Sequence, residues 1–142
     1  MRIMAIDLGD AHTGIAVSDP TGLLAGFTTT ITAYRPEAVA ERISALAREH
    51  HAEELVLGHP RNMDGTVGPR AEKAEAFAAL LREATGLPVI LWDERRTTID
   101  AHNILQQSGK NAKKRKSTVD AVAAALILEG YLTYRKEGRD RG

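Results

Sequence analysis

Three strand-like runs fill residues 1–32 with connections too short to hold a helix, and every later strand-like run is reached through a helical stretch. That order restricts the available folds more than any other feature of the chain. Residues 2–6 (Arg-Ile-Met-Ala-Ile) form a nearly continuous apolar run ended by Asp7, Leu8 and Gly9, the pattern of a strand covered on both faces. Residues 13–18 follow after a turn with Ile15 and Val17 on one face, and the short link makes them an antiparallel partner of the first run. Residues 24–32, after the Asp19-Pro20-Thr21-Gly22 turn, carry the β-branched residues of a third strand.

The pattern then alternates. Pro36 suits a helix start, and Val39, Ile43, Leu46 and Ala47 make an apolar stripe that ends before His50 and His51. A strand at residues 55–57 ends at Gly58, and a loop follows from Gly58 to Gly65. A second helix begins near Pro69, buries Ala74, Phe77, Ala78 and Leu81, and stops at Gly86. Residues 89–92 are a fifth strand, and residues 97–108 a third helix with Ala101, Ile104 and Leu105 inward. In the last helix Val119, Val122, Ala123, Leu126, Ile127 and Tyr131 recur at helical spacing. The order β-β-β-α-β-α-β-α predicts an α/β fold: a mixed five-stranded sheet of order 3-2-1-4-5, strand 2 antiparallel, with helices on both faces. Residues 1–135 are expected to form one domain and residues 136–142 a polar C-terminal tail.

Net charge points nowhere, because 19 basic and 19 acidic residues cancel. The absence of cysteine removes disulfides, thiolate ligands and cysteine nucleophiles, and suits a reducing compartment. The first acid stands at residue 7, too early for a signal peptide, and no run approaches a membrane span, so a soluble cytoplasmic protein without membrane contact is expected.

Three acids stand where a strand ends or a helix begins: Asp7 in AIDLGDAHTGIAVSD, Glu94 in WDERRTT and Asp120 in STVDAVAAALIL. In a 3-2-1-4-5 sheet, Asp7, Gly58 and Glu94 all follow carboxyl ends of parallel strands, the edge where open α/β sheets bind ligands. The last helix would bring Asp120 there from its first turn. Carboxylates gathered without sulfur suit a hard divalent cation, and Mg²⁺ or Mn²⁺ so held serves phosphodiester hydrolysis.

The succession DLGDAHTGIAVSD, GHPRNMDGTVGPRAEKAEAF, WDERRTTIDAH and VDAVAAALILEGYL resembles the YqgF family, also called RuvX, over nearly the whole chain. The resemblance implies a ribonuclease H-like three-layer fold related to the RuvC-type resolvases. It implies a nuclease that processes the 5′ end of pre-16S rRNA, or alternatively one that resolves Holliday junctions. It also implies that Asp7, Glu94 and Asp120 are the catalytic and metal-ligating residues of a site for two Mg²⁺ or Mn²⁺ ions, with Asp7 bridging. RuvC-like resolvases often carry an acid or histidine one turn after the last aspartate; here that residue is Ala123, so either three carboxylates suffice or Asp93, His102 or a substrate phosphate completes the set.

Simpler roles stand beside these. Asp7 also suits a turn before Gly9, and Glu94 a surface pair with Arg95 or Arg96. With Ser117 as N-cap, Asp120 occupies the third helical position and answers the helix dipole. His12 and His59 read as solvated loop histidines, His50, His51 and His102 as helix-surface residues, and Asp64 as a turn former. Gly9 and Gly14 are candidate close-approach positions at the active edge.

Lys110, Lys113, Lys114, Arg115 and Lys116 form a cationic loop before the last helix, which Arg61, Arg70, Arg95 and Arg96 would extend into a nucleic-acid-binding track. Aromatic residues fall mostly in core elements, so base stacking is not an expected mode of recognition. An actin-like kinase shares an Asp-Leu-Gly opening but needs two such domains, and a non-catalytic binding module remains the third class. Symmetric junction resolution would require a homodimer, for which the sequence shows no marked surface.

Overall fold

The computed structural model describes residues 1–19, 25–60, 62, 64–93 and 112–141, without the side chains of residues 25, 112–120 and 137–141. Its elements are β1 (Ile3–Asp7), β2 (His12–Ser18), β3 (Ala25–Thr32), α1 (Pro36–Glu49), β4 (Glu54–His59), α2 (Pro69–Thr85), β5 (Val89–Asp93) and α3 (Ala112–Arg141). The helix expected over residues 97–108 lies outside the described residues.

The five-stranded sheet runs β3-β2-β1-β4-β5, as the sequence pattern predicts. β2 is antiparallel to β1 and β3, whereas β1, β4 and β5 are parallel. β1 is central, and its alternate residues feed two cores. Met4 and Ile6 join Ile15, Leu55 and Leu57 beneath α1 and α2. Ile3 and Ala5 join Ala16, Val56 and Trp92 beneath α3. A continuous apolar run is what a strand buried on both faces requires.

α3 lies on that second face through Ala124, Ile127, Leu128, Tyr131 and Leu132, the three-and-four spacing of one helical stripe. Ile127 and Tyr131 are as expected, but Ala124, Leu128 and Leu132 rather than Val122, Ala123 and Leu126 complete the buried set. Tyr131 packs edge-on against Trp92 with ring centroids 5.9 Å apart. Its hydroxyl donates to the Glu54 carboxylate at 3.1 Å, and Arg135 donates to the same oxygen at 2.7 Å. Burial, then the neighbouring Glu54 charge, push the Tyr131 hydroxyl above its ordinary value of 10.0. The C-terminal half of α3 is thus fastened to the amino end of β4.

Several boundaries differ from the sequence reading for identifiable reasons. β4 continues through Gly58 and His59, which pair with Trp92 and Asp93, so these residues are strand rather than loop. Pro60, lacking an amide proton, follows where pairing ends. α3 begins at Ala112, so Ser117 is not its N-cap and Asp120 lies beyond the first turn. Ala112 to Lys116 is a run of strong helix formers that outweighs the local Ser-x-x-Asp capping pattern. The cationic residues Lys113, Lys114, Arg115 and Lys116 are therefore helical rather than loop residues, and residues 136–141 continue the helix.

Helix α2 ends as expected at Gly86, whose φ of 70° is the left-handed cap. After α1 the same region of φ falls instead to His51, at 56°. A β-carbon there is strained by about 1 kcal/mol, so His51→Gly should raise stability by roughly 0.5–1 kcal/mol. Denaturant titration should show a higher midpoint at unchanged slope.

Candidate active site at the carboxyl edge of the sheet

Parallel β1, β4 and β5 end together at Asp7, His59 and Asp93. Asp7 is half-buried, and alternation with Ile3 and Ala5 sets it on the α3 face of the sheet. Directly across the antiparallel ladder stands Gly14, which adds no side chain beside the Asp7 carboxylate. An oxygen donor at a strand end suits a hard divalent ion.

The turn after Asp7 has no room for a side chain. A β-carbon on Gly9 would collide with the carbonyl oxygen of His12. Gly9→Ala should therefore open the turn, cost about 1–3 kcal/mol, and lower activity even at temperatures where the protein is fully folded. Melting curves and turnover measured together would separate the two effects.

His59 is a correction. It is 4% exposed at the end of β4, and its Nε2 lies 3.3 Å from the Glu75 carboxylate of α2, so it is a buried strand residue rather than a solvated loop histidine. The extra pairing of β4 carries it under α2. His12 opens β2, with its Nδ1 3.2 Å from Thr32 Oγ1. His50 caps α1 and stacks on Phe27 at 4.4 Å between centroids, while His51 lies just past the helix. His102 lies outside the described residues.

Asp64 behaves as a turn former. Its carboxylate accepts from the amide of Thr66 at 2.9 Å and from the Thr66 hydroxyl at 2.6 Å, folding the loop back on itself. This brings the chain to α2, where Pro69 occupies the first turn and Arg70 follows it. One helical turn on, Lys73 reaches the β1–β2 turn and pairs with Asp10 at 3.2 Å. Both groups are exposed, so the pair contributes little to stability. No local sequence pattern links Lys73 to Asp10, which stand 63 residues apart; only the packing of α2 against the turn brings them together.

Of the three acids, only the Asp7 side chain falls within the description. Glu94 follows Asp93 in sequence and lies outside the described residues, as do Arg61, Arg95, Arg96 and Lys110. Asp120 is helical in α3, with its side chain undescribed. Among the described residues no group of three histidines, cysteines or carboxylates gathers as a metal site.

The model of the RuvX family, described as Holliday junction resolvase, matches residues 1–134. A protein of Pelotomaculum thermopropionicum is 46% identical over 142 residues, covering 99% of this chain and 91% of its own. One of Halothermothrix orenii is 42% identical over 137 residues, covering 96% and 98%. Both are named as candidate pre-16S rRNA nucleases. The fold is similar to that of Thermus thermophilus RuvC in complex with Holliday junction substrate, with a TM-score of 0.62 and 96% of each chain covered. At 16% identity this likeness concerns the ribonuclease H-like fold alone. Sequence identity above two-fifths along essentially the full chain, together with the family match, places this protein in the RuvX family.

Proposed function

We propose that the protein is a divalent-metal-dependent nuclease that hydrolyses phosphodiester bonds and processes the 5′ end of pre-16S rRNA in the cytoplasm. The observation that carries the site is the direction of α3. Tyr131 and Arg135 are tied to Glu54 at the amino end of β4. Asp120 precedes Tyr131 by about 16 Å of helix at 1.5 Å per residue, and β4 rises about 16 Å from Glu54 to His59. The two lengths match, which supports an Asp120 level with the carboxyl edge and with Asp7. Glu94, next in sequence after the last residue of β5, would complete the set.

Asp7, Glu94 and Asp120 would hold the cation, with Asp7 central and Ala123 offering no fourth carboxylate. When bound, Mg²⁺ or Mn²⁺, two ions in the full arrangement, supplies activation of the attacking water and charge stabilisation for the leaving oxygen. The chain's own residues do the rest. Gly14, directly across the ladder, adds no side chain beside Asp7. The cationic first turns of α3, from Lys113 to Lys116, would attract phosphates toward the helix that carries Asp120, and Arg61, Arg70, Arg95, Arg96 and Lys110 would extend the track. Among the described residues no helix is long and apolar enough to cross a membrane.

The family description and the likeness to RuvC favour one second reading, a Holliday junction resolvase acting as a homodimer. Cleavage of a single-stranded pre-rRNA segment and of a four-way DNA junction, measured side by side with oligomeric state in one buffer, decides between them. Cleavage of the RNA by a monomer supports the proposal; preference for the junction by a dimer replaces it.

A further inference from the structure

On the opposite face of the same sheet edge, α1 and α2 part to leave a cavity of about 180 Å³ walled by Leu8, Phe77 and Leu80. Tyr34 stands at its rim with 79% of its surface exposed, which sets it apart from the core aromatics on which the expectation against base stacking rests. Asp10 and Lys73 also line it. We propose that this cavity receives one unstacked nucleobase of the bound strand, flanking the phosphate held at Asp7, an inference that rests on the nuclease reading above.

Three observations select that occupant. Leu8, Gly9 and Asp10 line the cavity and directly follow Asp7, so a strand crossing the edge has its phosphate on one face and a neighbouring base over the other. The space matches one ring system, since an apolar cavity of about 150 Å³ takes up benzene. The lining also suits a base. Tyr34 offers an exposed ring face beside the apolar wall, and the Asp10–Lys73 pair leaves carboxylate lone pairs for an amino or imino edge and ammonium protons for an adjacent phosphate. Unstacked bases in single strands are commonly held in this way, between an aromatic face and an edge acceptor.

The experiment uses the full-length Asp7→Asn protein, which would bind without cutting, and a short single-stranded RNA in which each nucleotide in turn is made abasic. One abasic position should weaken binding by roughly 5- to 30-fold, the scale of a single base–aromatic contact. Ala76→Trp, at an exposed α2 position on the cavity wall, should weaken binding of the intact RNA by a similar factor and abolish the positional effect. Tyr34→Ala, at a rim position outside the core, should do the same in part. Uniform abasic effects, or unchanged affinity in both variants, overturn the base pocket. Self-association that Ala76→Trp disrupts would assign the cavity to a second copy and overturn it as well. Cleavage by the unsubstituted chain is followed in parallel. Cleavage without positional base dependence removes the pocket alone, whereas neither cleavage nor binding removes the nuclease reading and the pocket with it.

Discussion

Asp7→Asn is expected to lower metal-dependent cleavage by more than about 100-fold, since loss of mere supporting contacts around a metal already costs 10- to 100-fold. Nucleic-acid affinity should stay within a few-fold, because the basic residues are untouched. The substitution separates two roles for this residue. As a turn former before Gly9, asparagine serves as well as aspartate, so a purely structural Asp7 predicts unchanged activity. As a cation ligand it depends on the full carboxylate charge. Melting temperature should barely move, which keeps an activity loss from being read as unfolding.

Leu128→Ala carries the largest expected effect on stability. Leu128 is fully buried between α3 and the sheet, among Ile3, Val56 and Ile127. Truncating such a side chain costs about 2–5 kcal/mol, on the order of 10 °C in melting temperature for a domain of this size. If α3 is the element that brings Asp120 to Asp7, activity should fall at temperatures below global unfolding, because loosening the helix moves one ligand relative to another. Calorimetry with cleavage assays at several temperatures would show activity lost before structure.

The sheet order was legible because it follows from two local signals, the strand-like runs before Pro36 and the helical spacing between the later strands. The 3-2-1-4-5 arrangement then needs only short connections. The end of β4 was harder to read. Gly58 resembles a breaker, yet pairing with β5 continues through His59, and the resulting contact is with Glu75 of α2, 16 residues further along the chain. The start of α3 was misread because Ser117 and Asp120 imitate a cap within a segment whose helix propensity is already high. The Asp10–Lys73 pair and the adjoining cavity had no sequence signal, because both arise only where α2 packs over the first turn. Asp7 and Gly14 were singled out separately as residue types; their direct pairing across β1 and β2 is what the structure adds.

The central claim, that Asp7, Glu94 and Asp120 form one cation site, is tested most directly by Mn²⁺ titration followed by electron paramagnetic resonance, on the unsubstituted protein and on Asp7→Asn, Glu94→Gln and Asp120→Asn, each with RNA bound. The account predicts Mn²⁺ binding by the unsubstituted chain and a clear weakening in all three variants, matched by loss of cleavage. Equal Mn²⁺ affinity in all four proteins, with cleavage retained in any one variant, would contradict it.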